Sequence, residues 1–205
     1  MRRFAGRESS STGRDAAVAA LLALGVALSL ALAGCGDEDL FGIDPALREG
    51  SSRIWEVSAP GFPEAYDFFA SRRLFLGSGE IGQGLGDVFL DGAAGSTQVR
   101  LRSLSSLLRA EPSHAVEIRD LGPVEFETLG EVPLDGYTSS EDTVGVEILE
   151  GHVYALRIIR SALDPNFGKV LARTVGTTGG SPDAQFVDFD FVVQVQPGNP
   201  RFEDD

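Results

Sequence analysis

The chain has 205 residues, of which 31 are acidic and 17 are basic, and its formal net charge at pH 7 is −14. A surface with this charge repels nucleic acid and anionic lipid, which excludes proteins that bind either one through a basic patch. Because Cys35 is the only cysteine, an intramolecular disulfide is also excluded, and stability has to come from packing.

An apolar segment without a charged residue runs from Ala16 to Ala33, follows four arginines and ends beside the single cysteine. A basic start, an apolar stretch and small residues at the cleavage point are the three parts of a secretory signal peptide. Leu32-Ala33-Gly34-Cys35 resembles the lipobox of bacterial lipoproteins, which implies cleavage between Gly34 and Cys35 and acylation of the Cys35 thiol. Eighteen apolar residues are also about the minimum for a transmembrane helix, but a plain anchor helix has no need to end in this tetrapeptide.

The leader predicts a bacterial envelope lipoprotein that is exported by the secretory pathway and bound to the membrane through Cys35. Residues 1–34 form the predicted signal peptide, and Arg2-Arg3-Phe4 leaves twin-arginine export open as the less favoured route. The remaining body is more acidic than the whole chain, so attachment depends on acyl chains, whose buried methylenes contribute about 0.8 kcal/mol each. Gly36 stands where lipoproteins of enteric bacteria carry Asp for retention in the inner membrane, and this favours the outer membrane.

The mature chain divides into three predicted parts. Residues 35–52 are acidic and rich in Gly, Pro and Ser, which predicts a lipid-anchored flexible tether. Residues 53–200 predict one all-β domain, and residues 201–205 an acidic tail. The domain begins with an alternating segment, 53–59, that predicts a strand, and the aromatic spacing of 64–70 suits either one or two helical turns or an extended segment.

A glycine-rich segment follows a short strand predicted over 72–76. Gly77 to Gly82 matches the dinucleotide fingerprint G-x-G-x-x-G. A fingerprint must open a helix, whereas here more glycines and a strand-like segment, 87–90, come next. Each glycine costs a helix about 1 kcal/mol relative to alanine, so the segment predicts a loop between strands instead of a nucleotide site.

Short apolar runs with turn residues between them fill the rest of the domain. The predicted strands are 97–102, 115–119, 124–127, 144–148, 152–160, 169–175 and 185–196. Residues 103–109 predict at most two helical turns. Because no long amphipathic helix is present, the pattern predicts an antiparallel all-β sandwich or barrel with at most one or two short helices.

The last predicted strand alternates apolar and polar residues. Phe189 and Phe191 fall on one face and Asp188 and Asp190 on the other, which predicts a buried face and a solvated face. Two carboxylates on one face would also suit acid/base chemistry, but the solvated face is the simpler interpretation.

The last third of the chain resembles the C-terminal sheet of HmuY-like bacterial lipoproteins over about fifty residues. The matching residues are Tyr154, Arg157, Asn166-Phe167-Gly168-Lys169 and Phe189 to Gln194. The resemblance implies an all-β lipoprotein of the cell envelope, and some members of that family bind haem through two histidines. His114 and His152 map onto no ligand position of that family, so the haem role is not transferred to them.

No catalytic, cofactor-binding or metal-binding residue is predicted. His114 and His152 lack carboxylates at ligand spacing, Ser78 lacks the nucleophile elbow, and 164–168 begins like a calcium loop but lacks its later ligands. The favoured function is non-enzymatic, either structural or the binding of an envelope protein or small ligand through the β-domain. The alternatives are a haem or small-ligand carrier of the HmuY type and an envelope hydrolase, and nucleic acid is not an expected partner.

Overall fold

Two antiparallel five-stranded sheets make up the part of the chain that the computed structural model describes, which is residues 46–77, 86–92, 98–108, 114–139, 143–160, 164–179 and 183–202. Within these ranges the strands are β1 (Leu47–Trp55), β2 (Ala65–Asp67), β3 (Arg72–Leu74), β4 (Val88–Asp91), β5 (Arg100–Ser103), β6 (Ala115–Gly122), β7 (Val146–Glu147), β8 (Val153–Ile159), β9 (Asn166–Thr177) and β10 (Gln185–Gln194). A single helical turn, α1 (Ser105–Leu108), follows β5. The predicted all-β class is thereby confirmed.

The strand order defines the edges of each sheet. Sheet A has the order β1-β10-β9-β8-β6, and sheet B has the order β3-β2-β4-β5-β7. Strands β1 and β3 are therefore edge strands, and they lie on the same side of the molecule, where they line a common cleft. On the opposite side the sheets approach each other, since the Val116 backbone N–H of β6 donates to the Ser103 hydroxyl of β5 at 2.9 Å.

The hydrophobic core lies between the two sheets and draws side chains from both. In β10 every second residue is buried from Gln185 to Val193, as the period of two of a strand requires. Phe189 and Phe191 are 3% and 1% exposed, and their rings meet Tyr66 of sheet B edge-on at 5.1 and 5.5 Å between centroids. The prediction that these two phenylalanines face the core is confirmed.

Sheet A begins earlier in the chain than the sequence pattern predicts. Strand β1 starts at Leu47 and ends at Trp55, whereas the predicted strand covered 53–59 and residues 47–52 were assigned to the tether. Gly50, Ser51 and Ser52 have weak strand preference, but β10 pairs with all nine residues of β1 without a break. Tertiary pairing therefore overrides local preference here.

Residues 64–70, for which helical turns and an extended segment were both left open, form β2 and a turn. The predicted strand over 124–127 is wrong, because these residues lie outside the strands and lead into a turn. The segment that resembled a calcium loop enters β9 at Asn166, whose side chain is buried and donates to the Gln194 carbonyl at 3.1 Å. The predicted tail starts with a β-bridge between Arg201 and Glu131. In the described ranges no helix is long and apolar enough to span a membrane.

Candidate functional site

An open cleft of about 720 Å³ lies between the edge strands of the two sheets. Residues of β1 form one wall and residues of β3 the other, and the lining comprises Ser51, Ser52, Arg53, Pro63, Tyr66, Ser71, Arg72, Arg73 and Phe75. Three arginines and three serines are thus among the residues that line this space in a chain whose net charge is −14. Guanidinium and hydroxyl groups donate hydrogen bonds, and guanidinium groups bind carboxylates and phosphates in particular.

The β1 wall of the cleft is fixed by contacts with β10. Arg53 lies opposite Asp188 and donates two hydrogen bonds of 2.6 Å from Nε and Nη2 to its carboxylate. Its guanidinium also lies 3.9 Å from the centroid of the Phe186 ring. The hydrogen bond to Asp188 raises the pKa of Arg53 above its usual range, so this arginine stays charged, but its charge is balanced and its position held.

The β3 wall follows a turn that two carboxylates hold in place. Asp67 Oδ1 accepts hydrogen bonds of 3.0 Å from the backbone N–H groups of Phe69 and Ala70, which is the local bonding by which aspartate favours turns. Asp87 Oδ2 accepts another, of 2.7 Å, from the Phe68 N–H. The turn ends at Ser71, whose φ of 48° makes it the one non-glycine residue with positive φ in the described part of the chain.

Arg73 is the arginine of the cleft that is most available to a ligand. It lies directly opposite Tyr66 in the pairing of β2 with β3, so its side chain leaves the sheet on the inner face, toward the gap between the sheets. It is exposed and forms no ion pair with another residue that the structure describes. Burial raises the pKa of the neighbouring Tyr66, whose hydroxyl is hydrogen-bonded to Ser52 across the floor of the cleft.

A cluster of four ionisable groups lies behind the β2–β3 turn. Arg160 Nη2 donates to Asp67 Oδ1 at 2.7 Å and to Asp87 Oδ1 at 3.0 Å, and His114 Nε2 lies 2.6 Å from Asp87 Oδ1. Burial raises the pKa of Asp67, but hydrogen bonds from Ala70 and Arg160 outweigh it and hold that pKa below its usual range. Asp67 Oδ1 and both oxygen atoms of Asp87 accept hydrogen bonds from the turn or from Arg160. We therefore assign the cluster to positioning the β3 wall.

The two histidines stand at opposite ends of sheet A. His114 precedes β6 and His152 precedes β8, and these strands are antiparallel neighbours. Seven residues of strand separate the two ends, which corresponds to about 25 Å. His152 Nδ1 lies 3.1 Å from Asp120 Oδ2, so each histidine has its own carboxylate partner. This arrangement gives no support to haem ligation by the pair.

A second depression, of about 570 Å³, lies on the outer face of sheet A beside Lys169. The Lys169 ammonium donates to the carbonyls of Phe126 and Leu129 at 2.7 and 2.9 Å, and lies 4.8 Å and 5.2 Å from the ring centroids of Phe126 and Phe202. Burial lowers the pKa of this lysine. Its hydrogen bonds attach the 126–129 segment to the sheet, which is a structural role.

The structure brings none of the residues considered from sequence into the cleft. Gly34, Cys35 and Ser78 lie outside the described residues. Asp188 and Asp190 lie on the outer face of β10, where Asp188 binds Arg53 and Asp190 contacts Ser51 and Arg173. Within the described ranges, no group of three His, Cys, Asp or Glu side chains is arranged to hold a metal ion.

The sequence interpretation missed the two arginines of the β3 wall. Arg72 and Arg73 are consecutive in a three-residue strand, and the available signal was a pair of adjacent cations in an otherwise acidic chain. Comparison of the chain with models of protein families, with curated proteins and with solved structures returns no match.

Proposed function

We propose that this chain is a lipid-anchored protein of the bacterial cell envelope whose β-sandwich binds an anionic group of a partner protein or small ligand, without catalysis. The observation that carries the binding role is the cleft between β1 and β3, which Arg53, Arg72 and Arg73 line and toward which Arg73 leaves the inner face of sheet B. Guanidinium groups favour planar, bidentate recognition of carboxylates and phosphates. Arg73 in particular reaches the open cleft without a counter-ion among the described residues.

The anchor is supported by the resemblance of Leu32-Ala33-Gly34-Cys35 to a lipobox after a basic and apolar leader. Replacing Cys35 with Ser is expected to prevent acylation and cleavage, because both depend on the thiol of this residue in bacterial lipoproteins. The variant should leave the processed membrane fraction and accumulate as a larger precursor. Fractionation followed by mass measurement tests this, and a Cys35→Ser protein of mature size in the membrane would contradict the anchor.

The cleft is tested by the binding of a small multivalent anion, tripolyphosphate, to the full chain in detergent micelles. Calorimetry should show binding that Arg73→Glu weakens at least tenfold, because the substitution replaces an attractive charge with a repulsive one at the site. Arg201→Glu is the matched control, since Arg201 is exposed and its guanidinium lies 3.7 Å from the exposed Glu131. Equal weakening by both variants would mean that the ligand senses net charge and not the cleft.

A further inference from the structure

The free edge of β1 is a template for strand pairing. β1 pairs with β10 over nine consecutive residues without a bulge, and on its other side no strand of the described residues pairs with it. Proteins usually prevent pairing at such an edge with a bulge, a proline, a short strand or free charged side chains. Here Arg48 donates to the Phe69 carbonyl at 2.8 Å and Arg53 is held by Asp188, so neither arginine is free to shield the backbone.

The hydrogen-bond pattern identifies which backbone groups of β1 face outward. Val195 N–H donates to the Ala46 carbonyl at 2.8 Å, and Glu56 N–H donates to the Gln185 carbonyl at 3.0 Å. Even-numbered residues therefore bond to β10, because hydrogen-bonded and non-hydrogen-bonded pairs alternate along an antiparallel ladder. The odd-numbered residues that direct their N–H and C=O groups to the free edge are Leu47, Glu49, Ser51 and Arg53.

The last outward-facing N–H group of β1 already has a hydrogen-bond partner within the chain. The Trp55 N–H, the next odd-numbered group, donates to the Pro63 carbonyl at 3.0 Å. Upstream of this contact the middle of the strand, Glu49 to Ser51, is exposed. Seven residues from Leu47 to Arg53 offer about 20 Å of edge, which is enough for a short extended segment of another chain.

We propose that this edge binds an extended acidic segment of a partner protein, which adds to sheet A as a further strand beside β1. The inference rests on the proposed function, because it names the partner that the same cleft binds. β3 forms the opposite wall of the cleft, so the inward side chains of an added strand face Arg73, which leaves sheet B on its inner face. Backbone pairing supplies affinity in such complexes and alternate side chains supply specificity, and here Arg73 selects acidic residues.

A second copy of this chain fits the edge less well than an acidic segment. The inner-face positions of its own β1 are Arg48, Gly50, Ser52 and Ile54. None of these is acidic, and Arg48 would add a positive charge to the arginine-lined cleft.

Hydrogen exchange tests the proposal without any substitution. The probe is an eight-residue peptide in which Glu alternates with Thr, with blocked ends, added to the full chain in detergent micelles. Exchange should slow at least tenfold at the amides of Glu49, Ser51 and Arg53, which gain partners, and change little at Gly50 and Ser52, which are already bonded to β10. A peptide with Lys in place of Glu should leave all five amides unchanged.

A matched pair of variants tests the role of the edge backbone. Ser51→Pro removes one edge-facing N–H but no bond to β10, and Gly50 before it tolerates the proline. It should weaken binding of the Glu-Thr peptide at least tenfold. Ser51→Ala removes only the hydroxyl that contacts Asp190 and should change the affinity less than twofold.

Four results would overturn strand addition. They are unchanged exchange at the three odd-numbered amides, equal binding of the Lys peptide, undiminished affinity of a folded Ser51→Pro variant, and protection of the same amides by dimerisation without peptide. If tripolyphosphate binding nevertheless depends on Arg73, the proposed function stands and only the partner is wrong. If no anion binds in an Arg73-dependent way, the proposed function fails as well.

Discussion

The burial of single residues in β10 follows from sequence because a strand has a fixed side-chain period. Phe189 and Phe191 alternate with Asp188 and Asp190, and the structure buries the first pair and leaves the second partly exposed. The partners of the aspartates could not be predicted in the same way. Asp188 meets Arg53, 135 residues away in the chain, and such pairs depend on which strands become neighbours.

The core role of Phe189 predicts a large difference between two neighbouring substitutions. Phe189→Ala removes a buried ring that contacts Tyr66 and Phe68 edge-on, and it should lower the free energy of unfolding by about 3 to 5 kcal/mol. Asp190→Ala removes a partly exposed carboxylate and should cost about 0.5 kcal/mol. Denaturant midpoints of the two variants measure this, and equal midpoints would contradict the assignment of faces.

At the scale of elements, strands with a strong apolar pattern were predicted and elements set by polar contacts were not. β8 is apolar on both faces and lies between β9 and β6, as its sequence indicates. The β2–β3 hairpin was not recognised, because its turn depends on Asp67 together with Asp87 and Arg160, which lie 20 and 93 residues further along. The aromatic spacing of 64–70 alone suits helix and strand alike.

The lowered pKa of Asp67 predicts that the hairpin contributes to acid sensitivity. A carboxyl group whose pKa is lower in the folded than in the unfolded state stabilises the fold when the pH is above its pKa in the unfolded state, about 3.9. This stabilisation is lost as the pH falls through the pKa of the folded state. Asp67→Asn keeps the side-chain shape but cannot titrate. Below pH 4 the free energy of unfolding should therefore fall less steeply in the variant than in the native chain.

Urea unfolding between pH 2 and pH 6 measures this difference, with Asp135→Asn as the control. Asp135 is almost fully exposed and its closest cation, Arg119 Nη1, is 3.5 Å away, so this substitution should leave the pH dependence unchanged. Parallel curves for Asp67→Asn and the native chain would show that the hydrogen bonds from Ala70 and Arg160 do not lower the pKa of Asp67.

At the scale of the whole molecule, the two sides of the sandwich differ. One side is closed by contact between β5 and β6, whereas the other leaves the edges of β1 and β3 apart with arginines between them. The all-β class was predictable because it depends on strand period and turn residues. The cleft was not, because it depends on which strands lie at the sheet edges, and the strand order joins residues distant in sequence.

The central claim, that the β-domain binds anions in the cleft between β1 and β3, is tested most directly by mapping the bound ligand on the molecule. The isotope-labelled full chain in detergent micelles is titrated with tripolyphosphate, and the amide shifts are followed by NMR. We expect the largest shifts at Ser71, Arg72 and Arg73, which carry or adjoin the guanidinium groups of the β3 wall. Largest shifts beside Lys169 or His114, with the β3 wall unchanged, would contradict the account.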